Sequence, residues 1–275
     1  MTVPADDHVH TEWSWDAVRG SMERSCARAI ALGLPSIAFT EHVDHTVWTA
    51  ASAIPPDHPF APLSDAEGRV TPPPFDAAGY LDAVDRCRSR FPGLRIRTGV
   101  ELGEPHRHPE SVARVLAEGT FERVLGSLHS LPDGDHFREP DGLYLRRDPA
   151  GVVRDYLREV AELATGSDVF AVLAHIDYPA RTWPGVFDPT AFEDEFRYAL
   201  RAIAATGRAL EINTTVPLAA VVLRWWRKEG GEAVSFGSDA HQPEHVARGF
   251  SDAAALAEAS GFRPTADPQA LWTRS

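Results

Sequence analysis

Short apolar runs alternate with helix-period stretches along this chain, and most of the runs stop at a residue type that binds metals. The first, Val3–Val9, closes on His8-Val9-His10. Ser36–Thr40 leads into Glu41-His42, and Leu94–Glu101 ends on Glu101. Glu122–Ser127 precedes His129, Val169–Ala174 precedes His175-Ile176-Asp177, and Ala233–Gly237 precedes Asp239-Ala240-His241; between the last two, Ala209–Asn213 ends on an amide. Buried strands that alternate with helices predict a parallel α/β barrel, and such barrels draw their sites from the carboxyl ends of several strands.

The intervening periodicity predicts helices over Gly20–Leu32, Asp76–Phe91, Glu110–Glu118, Ala150–Ala164, Phe187–Thr206, Leu218–Lys228 and Pro243–Ser260. Two stretches carry neither period. Trp48–Phe75, with Pro55-Pro56 and Pro72-Pro73-Pro74, reads as an irregular insertion, and Ser130–Asp148 as a polar loop. The 275 residues fit one barrel, which takes ~250 residues. Residues 1–275 are therefore expected to form one domain that carries the insertion at about 48–75.

A formal net charge of −13 argues against a nucleic-acid partner, since neutralising phosphates calls for a basic surface. Cys26 and Cys87 fall inside helical stretches and form no Cys-x-x-Cys, so they read as core residues in a reducing compartment. The amino terminus shows no basic start followed by an apolar run, and no stretch is apolar enough to span a bilayer. Cytoplasm is the expected location.

Taken singly, the candidate ligands are weak. A lone His129 is more often structural than a ligand; Glu101 could cap a helix and Asp239 could sit in a turn. His8 and His10 are stronger, because side chains two apart on an extended chain point the same way. The set outweighs its members. With 12 His in 275 residues, seven three-residue windows past the strand ends should hold roughly one His, and at least five are found. Mixed His, Asp and Glu donors suit divalent zinc, manganese or iron.

These residues resemble the PHP (polymerase and histidinol phosphatase) superfamily. The segments that carry the resemblance are Asp7-His8-Val9-His10-Thr11, Phe39-Thr40-Glu41-His42, Gly99-Val100-Glu101, Gly126-Ser127-Leu128-His129, Ala174-His175-Ile176-Asp177 and Gly237-Ser238-Asp239-Ala240-His241. Glu211-Ile212-Asn213-Thr214 and the run Gly237–His245 resemble the histidinol-phosphatase branch. The resemblance implies a distorted (β/α)7 barrel with three divalent ions at the carboxyl ends of its strands. His8, His10, Glu101 and Asp239 would hold the first. Glu101 would bridge to a second, completed by His129 and His175. Asp16, His42 and His241 would hold the third. Asp16 stands where many relatives have His, which suits a harder ion such as manganese or iron. Ile176 stands where that branch usually has Pro.

The implied chemistry is hydrolysis of a small phosphate monoester by in-line attack of a metal-bridging hydroxide. Three dications, less three carboxylates and a hydroxide, keep a formal charge of about two positive, which matches a phosphate dianion. Arg181 is the first candidate for a clamp on the phosphoryl oxygens, with Arg138, Arg146 and Arg147 behind it. Asn213 would bind substrate or steady a ligand. Asp177, His245 and a metal-bound water are candidates for protonating the leaving alkoxide. Trp48, Phe60 and Phe75 would wall the leaving group, and Asp44 or Glu104 would meet an amine on it. His45, His58, His106, His108 and His136 are not expected to be ligands. Two rival readings are a PHP phosphoesterase acting on another small phosphate (a sugar or nucleoside monophosphate, a cyclic phosphate or a specialised metabolite) and a non-catalytic metal-bound module.

Overall fold

The computed structural model describes residues 3–275, so Met1 and Thr2 of the amino terminus lie outside it. Seven parallel strands, in sequence order across one sheet, form the framework: β1 (Asp6–Val9), β2 (Ser36–Val43), β3 (Arg95–Gly103), β4 (Arg123–Ser127), β5 (Val172–Leu173), β6 (Ala209–Asn213) and β7 (Ala233–Gly237). All seven expected strands are present. The sheet curls until its ends meet: Val9 bridges Ala240, the His10 N–H donates to Ala240 O (2.9 Å) and the Asp239 N–H to His8 O (2.8 Å). Closure is confined to the carboxyl end. At the amino end β7 pairs instead with an antiparallel strand, Trp272–Arg274, itself paired with Phe262–Arg263, and the sequence pattern did not predict this pair.

Helices cover the outside. Met22–Leu32 starts where the Ser21 side chain accepts from Arg24 N and stops at Gly33, whose φ of 70° a residue with a Cβ adopts only with strain. Its buried residues Met22, Ser25, Cys26 and Ala29 follow the helical period. Ala77–Arg90 is capped by Asp76 and packs alongside it. Cys26 and Cys87 are both free and buried. A larger core joins the helices Pro149–Gly166, Glu193–Ala205 and Ala220–Lys228 around Tyr156, Phe196 and Trp226.

Several boundaries depart from the sequence expectation, each for a physical reason. Thr40, Glu41 and His42 lie inside β2, and Glu101 inside β3, because all eight residues of β2 are buried and the charged ones find buried partners, Glu41 in Thr11 and Ser14 and His42 in Asp16 and Glu101. The Trp48–Phe75 insertion holds a small hairpin, Trp48–Thr49 with Arg69–Val70. The loop after His129 holds another, Leu131–Asp133 with His136–Arg138, followed by a one-turn helix at Pro140–Tyr144. The final helix begins only at Phe250, after a 3-10 turn at Pro243–His245 and a left-handed Gly249. No helix of the described residues is long and apolar enough to cross a membrane.

Candidate metal centre

The carboxyl ends of the strands bring all nine proposed ligands to one place. Glu101 lies at the middle, fully buried on β3. Its two oxygens face different partners. Oε2 lies 3.2 Å from His8 Nε2, 3.4 Å from His10 Nε2 and 3.3 Å from His42 Nδ1. Oε1 lies 2.8 Å from His175 Nε2 and 3.4 Å from His129 Nε2. Asp239 presents Oδ1 to His10 Nε2 (3.2 Å) and His8 Nε2 (3.6 Å). Asp16 Oδ2 lies 3.1 Å from His241 Nε2 and 3.4 Å from His42 Nε2. Donor atoms within 4.8 Å of one another form several sets able to hold a cation, among them His8-His10-Glu101, Glu101-His129-His175 and His10-His42-His241. Asp239 and Glu104 adopt positive φ (52° and 46°), which costs non-glycine residues of order 1–3 kcal/mol and turns both chains inward just past their strands.

Three of the imidazoles have an acceptor that fixes their tautomer. His8 Nδ1 donates to Glu211 Oε1 (2.6 Å), His10 Nδ1 to Ser14 Oγ (3.0 Å) and His241 Nδ1 to the Asp239 carbonyl (3.0 Å). Ser14 can accept from His10 because its own hydroxyl donates to Glu41 Oε2 (2.6 Å). Each of these three rings then turns a bare Nε2 toward the carboxylates, as metal-bound imidazoles do when a neighbouring acceptor holds the other nitrogen. His8 Nε2 and His10 Nε2 end 3.0 Å apart, lone pair against lone pair. Only a proton or a cation between them makes that contact favourable.

Burial disfavours charge on His8, but Glu211, Glu101 and Asp239 outweigh it and push its pKa well above the ordinary value. Burial, with His42 and His241, pushes His10 down. Burial alone would raise Glu101 and Asp239. The imidazoles around Glu101, and Arg181 with His8 beside Asp239, instead hold both carboxyls well below the usual range. Anionic carboxylates interleaved with imidazole nitrogens are a donor set that divalent zinc, manganese or iron fits, a cation taking the place of the protons that the carboxylates otherwise hold on His8.

Glu211, Glu41 and Ser14 were not singled out by sequence reasoning as part of the site. Glu211 could have been, since it lies two residues before Asn213 on β6 and so on the same face. It also accepts from the His175 N–H (2.8 Å). Gly237 on the neighbouring strand makes room for it, because a Cβ there would lie 2.0 Å from Glu211 Oε1. A Glu211→Gln variant is therefore expected to weaken metal binding about 10–100-fold, measured by competition with a chromogenic chelator. Unaltered affinity would remove Glu211 from this role.

The other candidates separate clearly. Arg181 borders the cavity above the cluster, pairs with Asp239 Oδ2 and stacks 4.9 Å over the Tyr178 ring. Asn213 is buried and donates to Glu211 Oε2 (3.1 Å) and Asp239 Oδ2 (3.3 Å), so it steadies these carboxylates. Arg138, Arg146 and Arg147 do not border the cavity. Arg138 binds Asp133 and the carbonyls of Thr49 and Ala50, tying the insertion to the loop hairpin; Arg146 also pairs with Asp133, and Arg147 with Asp155. Asp177 and His245 do not border it either. Burial pushes the Asp177 carboxyl up to about 6 against the pull of Arg181, and His245 meets Gln242 on the 3-10 turn. Trp48 and Phe60 do line the cavity, whereas Phe75 packs in the core beside Tyr80. His45, His58, His106, His108 and His136 are absent from the donor sets found among the described residues.

Over the cluster lies a cavity of about 210 Å³, walled by Trp15, Trp48, Phe60 and Tyr178. It has room for a small molecule.

This chain belongs to the PHP domain family, whose profile matches residues 6–215. The histidinol-phosphatase of Lactococcus lactis subsp. lactis is 24% identical over 272 residues, covering 95% of this chain and 93% of the relative. A probable histidinol-phosphatase of Deinococcus radiodurans is 29% identical over 275 residues, covering 92% of each. Among solved structures, the Lactococcus lactis histidinol phosphate phosphatase, complexed with zinc, L-histidinol and phosphate, superposes with a TM-score of 0.79 at 22% identity, over 95% of each chain.

Proposed function

We propose that this protein is a metal-dependent phosphomonoesterase that hydrolyses a small phosphate ester of the histidinol phosphate type. The observation that carries this reading is Glu101, whose two oxygens divide five imidazoles into two groups beneath a small-molecule cavity. In the proposed assignment His8, His10, Glu101 and Asp239 hold one ion, Glu101, His129 and His175 a second, and Asp16, His42 and His241 a third. Divalent ions so held supply positive charge and an activated water.

The chain's own residues do the rest. Arg181 is anchored through one nitrogen on Asp239, braced by the Tyr178 ring and borders the cavity, where its other N–H groups would serve as donors for phosphoryl oxygens. Because charge grows on those oxygens as the ester breaks, a fixed guanidinium stabilises the transition state without having to reorganise. Asn213 and Arg181 together occupy Asp239 Oδ2, which leaves Oδ1 for the cluster. Trp15, Trp48 and Phe60 exclude water from the leaving-group side. The two relatives named above, matched over nearly their whole length, support histidinol phosphate as the ester.

Single turnover of histidinol phosphate in water enriched in heavy oxygen tests the reaction. Water attacking phosphorus puts the label in the phosphate. Label in the alcohol would mean cleavage of the carbon–oxygen bond and would refute the mechanism.

A further inference from the structure

We propose that Glu139 is the specificity-determining residue of the cavity, the carboxylate that selects phosphate esters whose leaving alcohol carries an ammonium group close to the ester oxygen. The proposal rests on the phosphatase reading above and adds to it the residue that reads the alcohol. Three acids border the cavity without belonging to the nine proposed ligands: Asp44, Glu104 and Glu139. Two are held at the cluster end of the cavity. Asp44 accepts from Trp15 Nε1 (2.9 Å) and lies against His42 and His129. Glu104 is buried, and although its Oε2 makes no hydrogen bond among the described residues, its Oε1 takes the backbone N–H groups of both His129 (2.7 Å) and Ser130 (2.9 Å), which fixes it beside a proposed ligand. Glu139 has one polar partner among the described residues, the Tyr178 hydroxyl, which donates to Oε2 at 3.3 Å. Its Oε1 is uncommitted. A half-buried carboxylate with a free oxygen in an aromatic enclosure favours a cation opposite it, and aromatic ring faces attract the same cation.

Tyr178 sets the distance. Its ring centre lies 5.1 Å from the His175 ring, 5.2 Å from the His129 ring and 4.9 Å from the Arg181 guanidinium carbon, while its hydroxyl reaches Glu139. One tyrosine therefore spans from the phosphate end of the cavity to the free carboxylate. A group bonded a few atoms from the ester oxygen covers such a span; a distant charge on a long substrate would overshoot it. The peptide holding Glu139 is itself fixed. Arg138 is tied to Asp133 and to the insertion hairpin, and Glu139 opens the one-turn helix Pro140–Tyr144, whose Tyr144 hydroxyl donates to Pro179 O (2.8 Å).

The test compares the wild type with Glu139→Gln on L-histidinol phosphate and on phenyl phosphate, which has no cation. One charge-assisted hydrogen bond corresponds to roughly 10–100-fold, so the ratio of kcat/KM for the amino ester to that for phenyl phosphate is expected to fall by about that factor, mostly through KM. A general structural defect would lower both substrates together and keep the ratio, and a kept ratio overturns the proposal. Calorimetric binding of L-histidinol is measured in parallel. If the wild type hydrolyses neither ester, the phosphatase reading fails while the calorimetry still decides on Glu139. Binding weakened at least 10-fold by Glu139→Gln supports the proposal, and equal binding refutes it.

Discussion

Glu101→Gln is expected to cut phosphate release by about 10²–10³-fold or more, the scale seen when one group that stabilises transition-state charge is removed, while the barrel stays folded. Each Glu101 oxygen serves a different set of imidazoles. An amide carries no charge, so both sets lose their anionic partner, and because it has one oxygen that accepts and one nitrogen that does not, one set loses its acceptor as well, whichever way the amide turns. The backbone of β3 pairs with β2 from Arg95 to Leu102 and with β4 from Gly99 to Gly103, and the substitution leaves those ladders alone. Metal content by plasma mass spectrometry should fall below that of the wild type, with the circular dichroism spectrum unchanged. Asp239→Asn should behave alike, with the additional loss of the Arg181 anchor. Full activity in either variant would dissolve the proposed centre.

Removing metal is expected to have the second-largest effect, and on two observables at once. Stripping the protein with a strong chelator should abolish turnover and lower Tm by roughly 10 °C. The estimate follows from linkage: a ligand present at a thousand times its dissociation constant stabilises the folded state by about 4 kcal/mol, and a domain of this size shifts by roughly 2–4 °C per kcal/mol. The buried geometry sets the sign. Without cations, Glu101, Asp239 and Asp16 face His8, His10 and His42 across 3–4 Å with no solvent between, and the charge balance must come from protons, which supply one charge each. Adding back zinc, manganese or iron separately, and then in pairs, would report which ion the Asp16 position prefers. Unchanged Tm and activity after stripping would show that the cluster works without metal.

The framework was legible because two periodicities coincide in the chain. Apolar runs of strand length alternate with helix-period stretches, and His, Asp and Glu fall where those runs end. The register of β6 and β7 matches the expected residues, since both are apolar and end in turn formers. What was not legible has a common cause: polar residues whose burial depends on distant partners. Glu41 looks like the end of a strand, yet Thr11 and Ser14, about thirty positions earlier, make its burial possible. Glu211 is a single acid in an apolar strand until His8 approaches it across the barrel. Arg181, Arg138, Arg146 and Arg147 carry the same guanidinium, and only the first reaches the cavity; the carboxylates near the others, Asp133 and Asp155, had no visible claim on them in sequence. The antiparallel pair at the carboxyl terminus is too short to show a period.

The seam between β1 and the segment after β7 has a consequence for biosynthesis. His8 and His10 emerge from the ribosome some 230 positions ahead of Asp239 and His241, yet all four meet where Val9 bridges Ala240 and the Asp6 side chain grips Ser238 and Ala247. At translation speeds of roughly 5–20 residues per second, a nascent chain spends many seconds with most of its strands made and no complete reaction centre. On the proposed reading, hydrolytic power therefore waits for Asp239 and His241, and a product broken off before them would be inert toward the phosphate esters around it.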